Sequence, residues 1–266
     1  MASRSGVYRS LLQPVRSVSE PTYRRTLARL LDGKLHPEFV DHFFDSSDEY
    51  DRYVNEFDEG PAADLRNEAL ERYRQLTGKN GLSGIGLETS RSYYAIVRKL
   101  QPETVVETGV CNGVSTLSIL LALHENGSGT LHSIDYPYRA DESLEEFREE
   151  TFEAYGGAAI PSDRDPGWII PRELRTRWDL TIGKSQRILP ELVTDLGSLD
   201  VFVHDSEHSS PCMMFEYELA YEWLEEGGVI LSDDITWNSA FTEFTEVRRP
   251  AFGRVSWNVG YIQKRS

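Results

Sequence analysis

The sequence predicts an α/β fold: a seven-stranded, mostly parallel sheet with helices on both faces, an antiparallel last strand and a helical N-terminal cap. Two observations predict it. From Glu103 onward, short β-branched runs alternate with segments of helical periodicity, as is typical of a parallel sheet covered by helices. Residues 1–100 instead have apolar residues spaced three and four apart, without strand alternation. We therefore expect a cap over 1–100 and a sheet domain over 101–266.

The predicted elements follow this division in order. Helical periodicity in the cap predicts segments near 22–32, 36–45, 48–57 and 61–77, and a helix over 91–100. The predicted strands are Thr104–Thr108, Thr130–Asp135, Trp178–Ile182, Leu199–His204 and 229–232. The predicted helices between and after them are 115–123, 141–155, Ser185–Leu196, 211–226 and 238–247. Residues 253–263 are expected to form a final hairpin, and 156–177 read as an insert containing Pro and Gly.

The composition limits the classes of function. The chain has 44 acidic and 28 basic residues, and its lysines are confined to Lys34, Lys79, Lys99, Lys184 and Lys264. This acidic, lysine-poor pattern favours a halophilic protein over an ordinary acidic one, and it argues against nucleic-acid binding. The sequence has no long apolar run, so we expect no membrane span. The two distant cysteines, Cys111 and Cys212, favour a reducing, cytoplasmic location.

The loop after the first strand contains the strongest binding signal. Gly109 and Gly113 allow the backbone to approach a ligand closely, and the helix that begins near Ser115 directs N–H groups toward it. Glu107, at the strand end, would repel a pyrophosphate and attract a cationic amine. Because S-adenosylmethionine has an ammonium and a sulfonium group and no phosphate, Glu107 favours this cofactor over a dinucleotide. A tight turn in an unrelated α/β fold is the structural alternative.

Asp135 closes the second strand, where a carboxylate can accept hydrogen bonds from both ribose hydroxyls of an adenosine. This signal suits NAD as well as S-adenosylmethionine, and a helix cap is the structural alternative. Lys184 and Ser185 follow the third strand, where an adenine could lie, although a simple turn explains them equally well.

Acidic residues follow the fourth and fifth strands. Asp205, Asp233 and Asp234 would converge at the carboxyl edge of the sheet, where a divalent cation such as Mg²⁺ would relieve their mutual repulsion. His208 is then the natural general base, with Glu207 as its orienting partner or a second base. In the alternative interpretation these acids cap the next helix and His208 makes only local hydrogen bonds.

Together these residues resemble the class I S-adenosylmethionine-dependent methyltransferases, which have a Rossmann-like fold. The likeness covers residues 85–263 and includes the acid–glycine loop, residues 200–209, and the string Leu-Glu-Glu-Gly-Gly-Val-Ile-Leu-Ser-Asp-Asp, which runs from Leu224 to Asp234. The branch it resembles is that of the metal-dependent O-methyltransferases, which includes the macrocin-type and catechol enzymes. The resemblance implies metal-assisted O-methylation of a small-molecule hydroxyl, and it leaves a homodimer open.

The resemblance also implies a role for each site residue. Glu107 and Gly109 would hold the methionine end of the cofactor, with Gly113 and Ser115 completing that loop. Asp135 would bind the ribose and Ser185 would lie near the adenine, although Lys184 replaces the acid that often precedes this position. Asp205 would border the cofactor as well as the metal. The acids proposed as metal ligands are Asp205, Asp233 and Asp234, and His208 stands where the family has its proton acceptor.

Three other functions stay open at this stage. An NAD(P)-dependent oxidoreductase could use a similar sheet, although Glu107 and the incomplete glycine pattern oppose it. A catalytically inactive protein could keep the fold and bind a partner through its cap. Methylation of nitrogen or carbon without a metal would leave Asp233 and Asp234 as helix caps. The cap and the 156–177 insert match no pattern we can place, and we expect them to determine the substrate.

Overall fold

The computed structural model describes residues 37–77, 86–151, 159–256 and 258–265. The helix predicted near 22–32 lies outside these residues. Residues 37–43 are helical, and three further helices precede the sheet: α1 (Ser47–Glu59), α2 (Ala63–Thr77) and α3 (Leu87–Leu100). The Ser46 hydroxyl accepts a hydrogen bond from the Glu49 amide and so caps the start of α1. None of the described helices is long and apolar enough to cross a membrane.

Seven strands form one sheet, in the order β3-β2-β1-β4-β5-β7-β6. The strands are β1 (Thr104–Thr108), β2 (Thr130–Asp135), β3 (Trp178–Ile182), β4 (Leu199–His204), β5 (Leu224–Ser232), β6 (Phe252–Ser256) and β7 (Val259–Gln263). All pairings from β3 to β5 are parallel, whereas β7 runs antiparallel to both of its neighbours. The predicted fold class is therefore confirmed, including the final hairpin.

The helices that alternate with the strands are α4 (Val114–Asn126), α5 (Leu144–Thr151), α6 (Ser185–Leu196), α7 (Ser210–Trp223) and α8 (Ala240–Arg248). A short 3₁₀ helix, Arg172–Arg177, leads into β3. Several predicted helix boundaries were wrong; α3, for example, begins at Leu87 and not at residue 91. Helix α7 ends at Trp223 because Leu224 is already extended, and β5 starts there, five residues before the prediction. A register shift between Leu199 and Val201 accommodates the longer strand.

Buried side chains cover both faces of the sheet. In β1, Val105 belongs to a cluster that contains buried residues of α3, α4 and the preceding helices, whereas Val106 belongs to a cluster with α6, α7 and α8. Adjacent residues of β4 divide in the same way, since Val201 faces the first cluster and Phe202 the second. This two-sided burial explains why the parallel strands read as continuous apolar runs. It also leaves the carboxyl ends of the strands as the place for polar chemistry.

The parallel hydrogen bonding continues beyond the strand ends. The Gly109 amide donates to the Ile134 carbonyl at 2.8 Å, the Asp205 amide to the Thr108 carbonyl at 2.8 Å, and the Asp233 amide to the His204 carbonyl at 2.9 Å. Strand β1 lies between β2 and β4, so the chain crosses from one half of the sheet to the other at this point. Ligands of open α/β sheets bind in the crevice beyond the carboxyl ends of the strands at such a crossover.

Candidate active site

An open cavity with an empty volume of about 720 Å³ lies at this crossover. Five of the predicted site residues line it: Gly109, Asp135, Ser185, Asp205 and Glu207. The other predicted residues lie outside its lining: Glu107, Gly113, Ser115, His208, Asp233 and Asp234.

Gly109 lets the glycine-rich loop pass close to the loop after β4. Its φ of +87° is in the left-handed region, and a Cβ on it would lie 2.0 Å from the Asp205 carbonyl oxygen. Any side chain would therefore strain the backbone and clash with its neighbour. The glycine is thus required by the packing of two cavity walls, whereas the predicted close approach of its backbone to a ligand stays a prediction.

Asp135, the last residue of β2, lines the cavity. Its side chain is buried, and its Oδ1 accepts a hydrogen bond from the Val110 amide at 3.1 Å. Its Oδ2 is also buried and has no hydrogen-bond partner among the described residues. Burial raises the pKa of this carboxyl to about 6, against the hydrogen bonds from the loop amides. A buried acceptor beside this cavity fits a hydroxyl donor such as a ribose.

Glu107 lies behind the loop and is completely buried. Its Oε1 accepts a hydrogen bond from the Ser115 hydroxyl at 2.7 Å, and its Oε2 accepts from Thr116 and Ser133, each at 2.8 Å. Burial raises the pKa of Glu107 to about 7, although the three hydroxyls favour its ionised form. Its predicted contact with the cofactor ammonium stays a prediction. The sequence analysis missed Thr116 and Ser133, since serine and threonine in an apolar strand or helix give only a weak signal.

The wall formed by the loops after β2 and β3 is aromatic. Lys184 places its Nζ 5.0 Å from the ring centroid of Tyr136, and that ring stacks on Phe147 at 6.2 Å. Ser185 begins α6 and lines the cavity, as predicted for a residue near the adenine. This wall could hold a flat heteroaromatic ring beside a helix start.

The loop after β4 forms the opposite wall. The His208 Nε2 lies 3.9 Å from the Asp205 Oδ1, and the His208 ring packs 4.9 Å from that of Trp237. Burial raises the pKa of Asp205 well above its usual value, and the charges of Asp233 and Asp234 raise it further. The predicted convergence of these three acids on a metal ion stays a prediction.

Two observations bear on the roles predicted for Glu207 and Asp234. Glu207 accepts hydrogen bonds from Ser209 and, at 3.3 Å, from Gln186, so both of its oxygens have partners. Asp234 accepts one from Asn258. Within the described ranges, no group of three His, Cys, Asp or Glu side chains is arranged so that it could hold a metal ion.

A second buried pair lies behind this loop, and the sequence analysis missed it. The His204 Nδ1 is 2.6 Å from the Glu216 Oε2, and both side chains are fully buried. Glu216 also accepts hydrogen bonds from Thr108 at 2.6 Å and from the cavity residue Ser206 at 2.9 Å. The pair therefore joins the ends of β1 and β4 to α7. A glutamate on the apolar side of a predicted helix was the signal that could have found it.

Comparison with known families shows what the chain is similar to. Residues 106–235, from β1 to the loop after β5, match the family model described as "Methyltransferase domain". Over these residues the chain is similar to methyltransferases, in agreement with its fold and with the cavity at the strand crossover. No curated protein sequence matches the chain significantly.

Solved structures share the fold at low sequence identity. The O-methyltransferase NovP is 16% identical, with a TM-score of 0.53 over 84% of this chain and 100% of its own. An O-methyltransferase from Bacillus cereus, in complex with SAH, is 14% identical, with a TM-score of 0.51 over 80% of this chain and 96% of its own. At these identities the likeness establishes the architecture and leaves the acceptor to be argued from the site.

Proposed function

We propose that the protein transfers the methyl group of S-adenosylmethionine to a hydroxyl oxygen of a small molecule. The observation that carries the proposal is the buried Oδ2 of Asp135, an acceptor without a described partner in a cavity at the strand crossover. An adenosine ribose offers two hydroxyl donors to such an oxygen. That both structural neighbours are O-methyltransferases supports oxygen as the acceptor atom.

The cavity walls suit the parts of the cofactor. Asp135 would hold the ribose, and the adenine would lie toward Tyr136, Lys184 and Ser185. Gly109, Asp205 and Ser206 line the cavity on the side of the loop after β4, and the methyl group would lie toward this side. When bound, S-adenosylmethionine supplies an electrophilic methyl carbon, and the electron pair of the broken carbon–sulfur bond stays on sulfur.

The chain then has to align an acceptor hydroxyl and remove its proton. We assign proton removal to the His208 imidazole, in which Asp205, 3.9 Å away, would stabilise the protonated ring. Glu207 is the weaker candidate because Gln186 and Ser209 occupy its oxygens. As the acceptor oxygen bonds to the methyl carbon, its proton moves to a His208 nitrogen, so atoms and charge balance.

Whether a metal ion assists the reaction is a separate question, and one observation favours a metal whereas another opposes it. The charges of Asp233 and Asp234 raise the pKa of Asp205, a repulsion that a divalent cation would relieve. The described side chains nevertheless form no group of three that could hold a metal ion. The residues as arranged do not fit a metal, so we assign proton removal to His208 alone and leave the cation to a direct test.

Calorimetric titration with S-adenosylmethionine tests the donor, with NADH as the control ligand and with Mg²⁺ or EDTA added in parallel. Because the net charge is −16, the buffers should span low and high salt. We expect saturable S-adenosylmethionine binding and no NADH binding. Transfer of a labelled methyl group to a panel of phenols and sugars would then identify the acceptor, and loss of turnover in EDTA would establish a metal. NADH binding without S-adenosylmethionine binding would refute the proposal.

A further inference from the structure

The insert before β3 lies directly against the glycine-rich loop. The Gly167 amide donates a hydrogen bond to the Cys111 carbonyl at 2.8 Å. The next insert residue, Trp168, donates from its Nε1 to the Asn112 Oδ1 at 2.7 Å. Two consecutive residues of the insert therefore hold two consecutive residues of the loop.

The two backbones also touch, with no room for a side chain between them. A Cβ on Gly113 would lie 2.8 Å from the Gly167 Cα, and a Cβ on Gly167 would lie 2.2 Å from the Trp178 ring. Both glycines have positive φ angles, +98° and +66°. The order Trp178, Gly167, Gly113 is thus a close-packed stack running from β3 to the loop.

The insert is itself anchored on two sides. The Arg175 Nη2 donates to the Gly167 carbonyl at 2.9 Å, and its guanidinium lies 5.2 Å from the Trp178 ring centroid. On the other side, the Trp168 ring stacks on Tyr73 of α2, with centroids 6.2 Å apart and planes 17° apart. The contacts between insert and loop therefore connect the loop to β3 and to the N-terminal helices.

The loop needs such support because it contains a residue in a disfavoured conformation. Cys111 has a φ of +50° although it is not a glycine, and it lines the cavity together with Gly109. A left-handed backbone at such a residue persists only where the surroundings hold it in place. The hydrogen bonds from Gly167 and Trp168 fall on Cys111 and the residue after it.

We propose that Gly167 and Trp168 are positioning residues that hold Cys111, Asn112 and Gly113 in the shape that binds the cofactor. The insert, which the sequence analysis left for substrate choice, thereby acts on the cofactor loop. Because Trp168 stacks on Tyr73, the N-terminal helices contribute to the same support. The inference rests on the proposed function only in naming S-adenosylmethionine as the ligand.

Trp168→Phe tests the inference, since it keeps a ring against Tyr73 and removes the Nε1 donor. Tyr94→Phe is the matched control, because it keeps its ring and removes a hydroxyl that donates to Glu56 of α1, at 2.6 Å, and not to the loop. Two quantities are measured in each variant. They are the hydrogen exchange rates of amides 110–114 in the cofactor-free protein and the affinity for S-adenosylhomocysteine.

For Trp168→Phe we expect exchange to quicken and affinity to fall, each roughly three- to tenfold, the effect of one lost hydrogen bond. Tyr94→Phe should leave both at the wild-type values. Asn112→Ala removes the acceptor of the same bond, so the double variant should add little to either single one. Unchanged exchange and affinity in Trp168→Phe would overturn the inference. If the wild type binds no S-adenosylhomocysteine, the proposed function fails, and the exchange rates alone still decide whether the insert supports the loop.

Discussion

Two glutamates, Glu107 and Glu216, lie on either side of the strand crossover, and each is completely buried. Each accepts several side-chain hydrogen bonds and joins neighbouring strand ends. Glu107 has three hydroxyl partners, whereas Glu216 has a histidine, His204, in addition to Thr108 and Ser206. Their surroundings thus differ chiefly in one imidazole.

Because of that difference, the fold shifts the pKa values of the two carboxyls in opposite directions. Burial dominates at Glu107 and raises its pKa to about 7. At Glu216, burial acts in the same direction, but the interactions with His204, together with the hydrogen bonds from Ser185 and Thr108, outweigh it and lower the pKa. Hydroxyls satisfy a buried carboxylate as an acceptor, and a partner that can carry positive charge is needed to keep it ionised.

Removing His204 should have the largest effect on stability, because it removes the partner that distinguishes Glu216 from Glu107. His204→Ala leaves the Glu216 carboxylate buried without its imidazole partner, and we expect a loss of about 3–5 kcal/mol in the free energy of unfolding. Urea denaturation measures it. His132→Ala is the control, because the His132–Asp179 pair at 3.5 Å is partly exposed and should contribute about 1 kcal/mol or less. Equal losses in the two variants would contradict the special role of the buried pair.

Gly109→Ala should have the next largest effect, because it combines a positive φ with a clash against the Asp205 carbonyl. We expect a loss of roughly 2–5 kcal/mol in unfolding free energy, together with weaker cofactor binding. Gly127→Ala separates the two causes, since Gly127 has a φ of +72° and open space around it. It should lose only about 1–2 kcal/mol. A Gly109→Ala variant as stable as Gly127→Ala would show that the two walls are not in tight contact.

Glu107→Gln tests the raised pKa of Glu107 through the pH dependence of the unfolding free energy. The folded state raises the pKa of Glu107 from 4.5 to about 7, so it binds the proton more tightly than the unfolded chain does. The resulting stabilisation of the folded state is on the order of 3 kcal/mol. It is fully present below pH 4.5 and is lost as the pH rises through about 7. The unfolding free energy of the wild type should therefore fall relative to that of Glu107→Gln across this interval. Parallel curves would mean that Glu107 is already ionised in the folded protein.

The sequence predicted the strands well because neighbouring residues within each strand and at its end determine where the strand begins and ends. Four strands have the predicted bounds, since β-branched runs such as Thr104–Thr108 end at glycines or acids. The start of β5 was missed because Leu224, Glu225 and Glu226 continue the helical pattern of α7. Whether they continue the helix or join the sheet depends on pairing with β4, which is a tertiary contact.

The site residues were predicted from one rule, which is that the carboxyl ends of parallel strands lie at the same edge of the sheet. Gly109, Asp135, Asp205 and Ser185 line one cavity, whereas Asp233 and Asp234, which the same rule placed there, lie outside its lining. The rule gives no information about partners distant in sequence. Ser133 reaches Glu107 across 26 residues, and Trp168 reaches Asn112 across 56. Such hydrogen bonds follow from packing between elements.

The most direct test of the account is the affinity of S-adenosylhomocysteine for the wild type, Asp135→Asn and the surface control Asp179→Asn, measured by calorimetry at pH 8. At this pH Asp135 is ionised in the folded protein, because its pKa is about 6. We expect saturable binding to the wild type and the control, and binding to Asp135→Asn weakened about tenfold or more, the cost of losing a hydrogen bond to a charged group. Wild-type affinity in Asp135→Asn, or no binding to any of the three, would contradict the account.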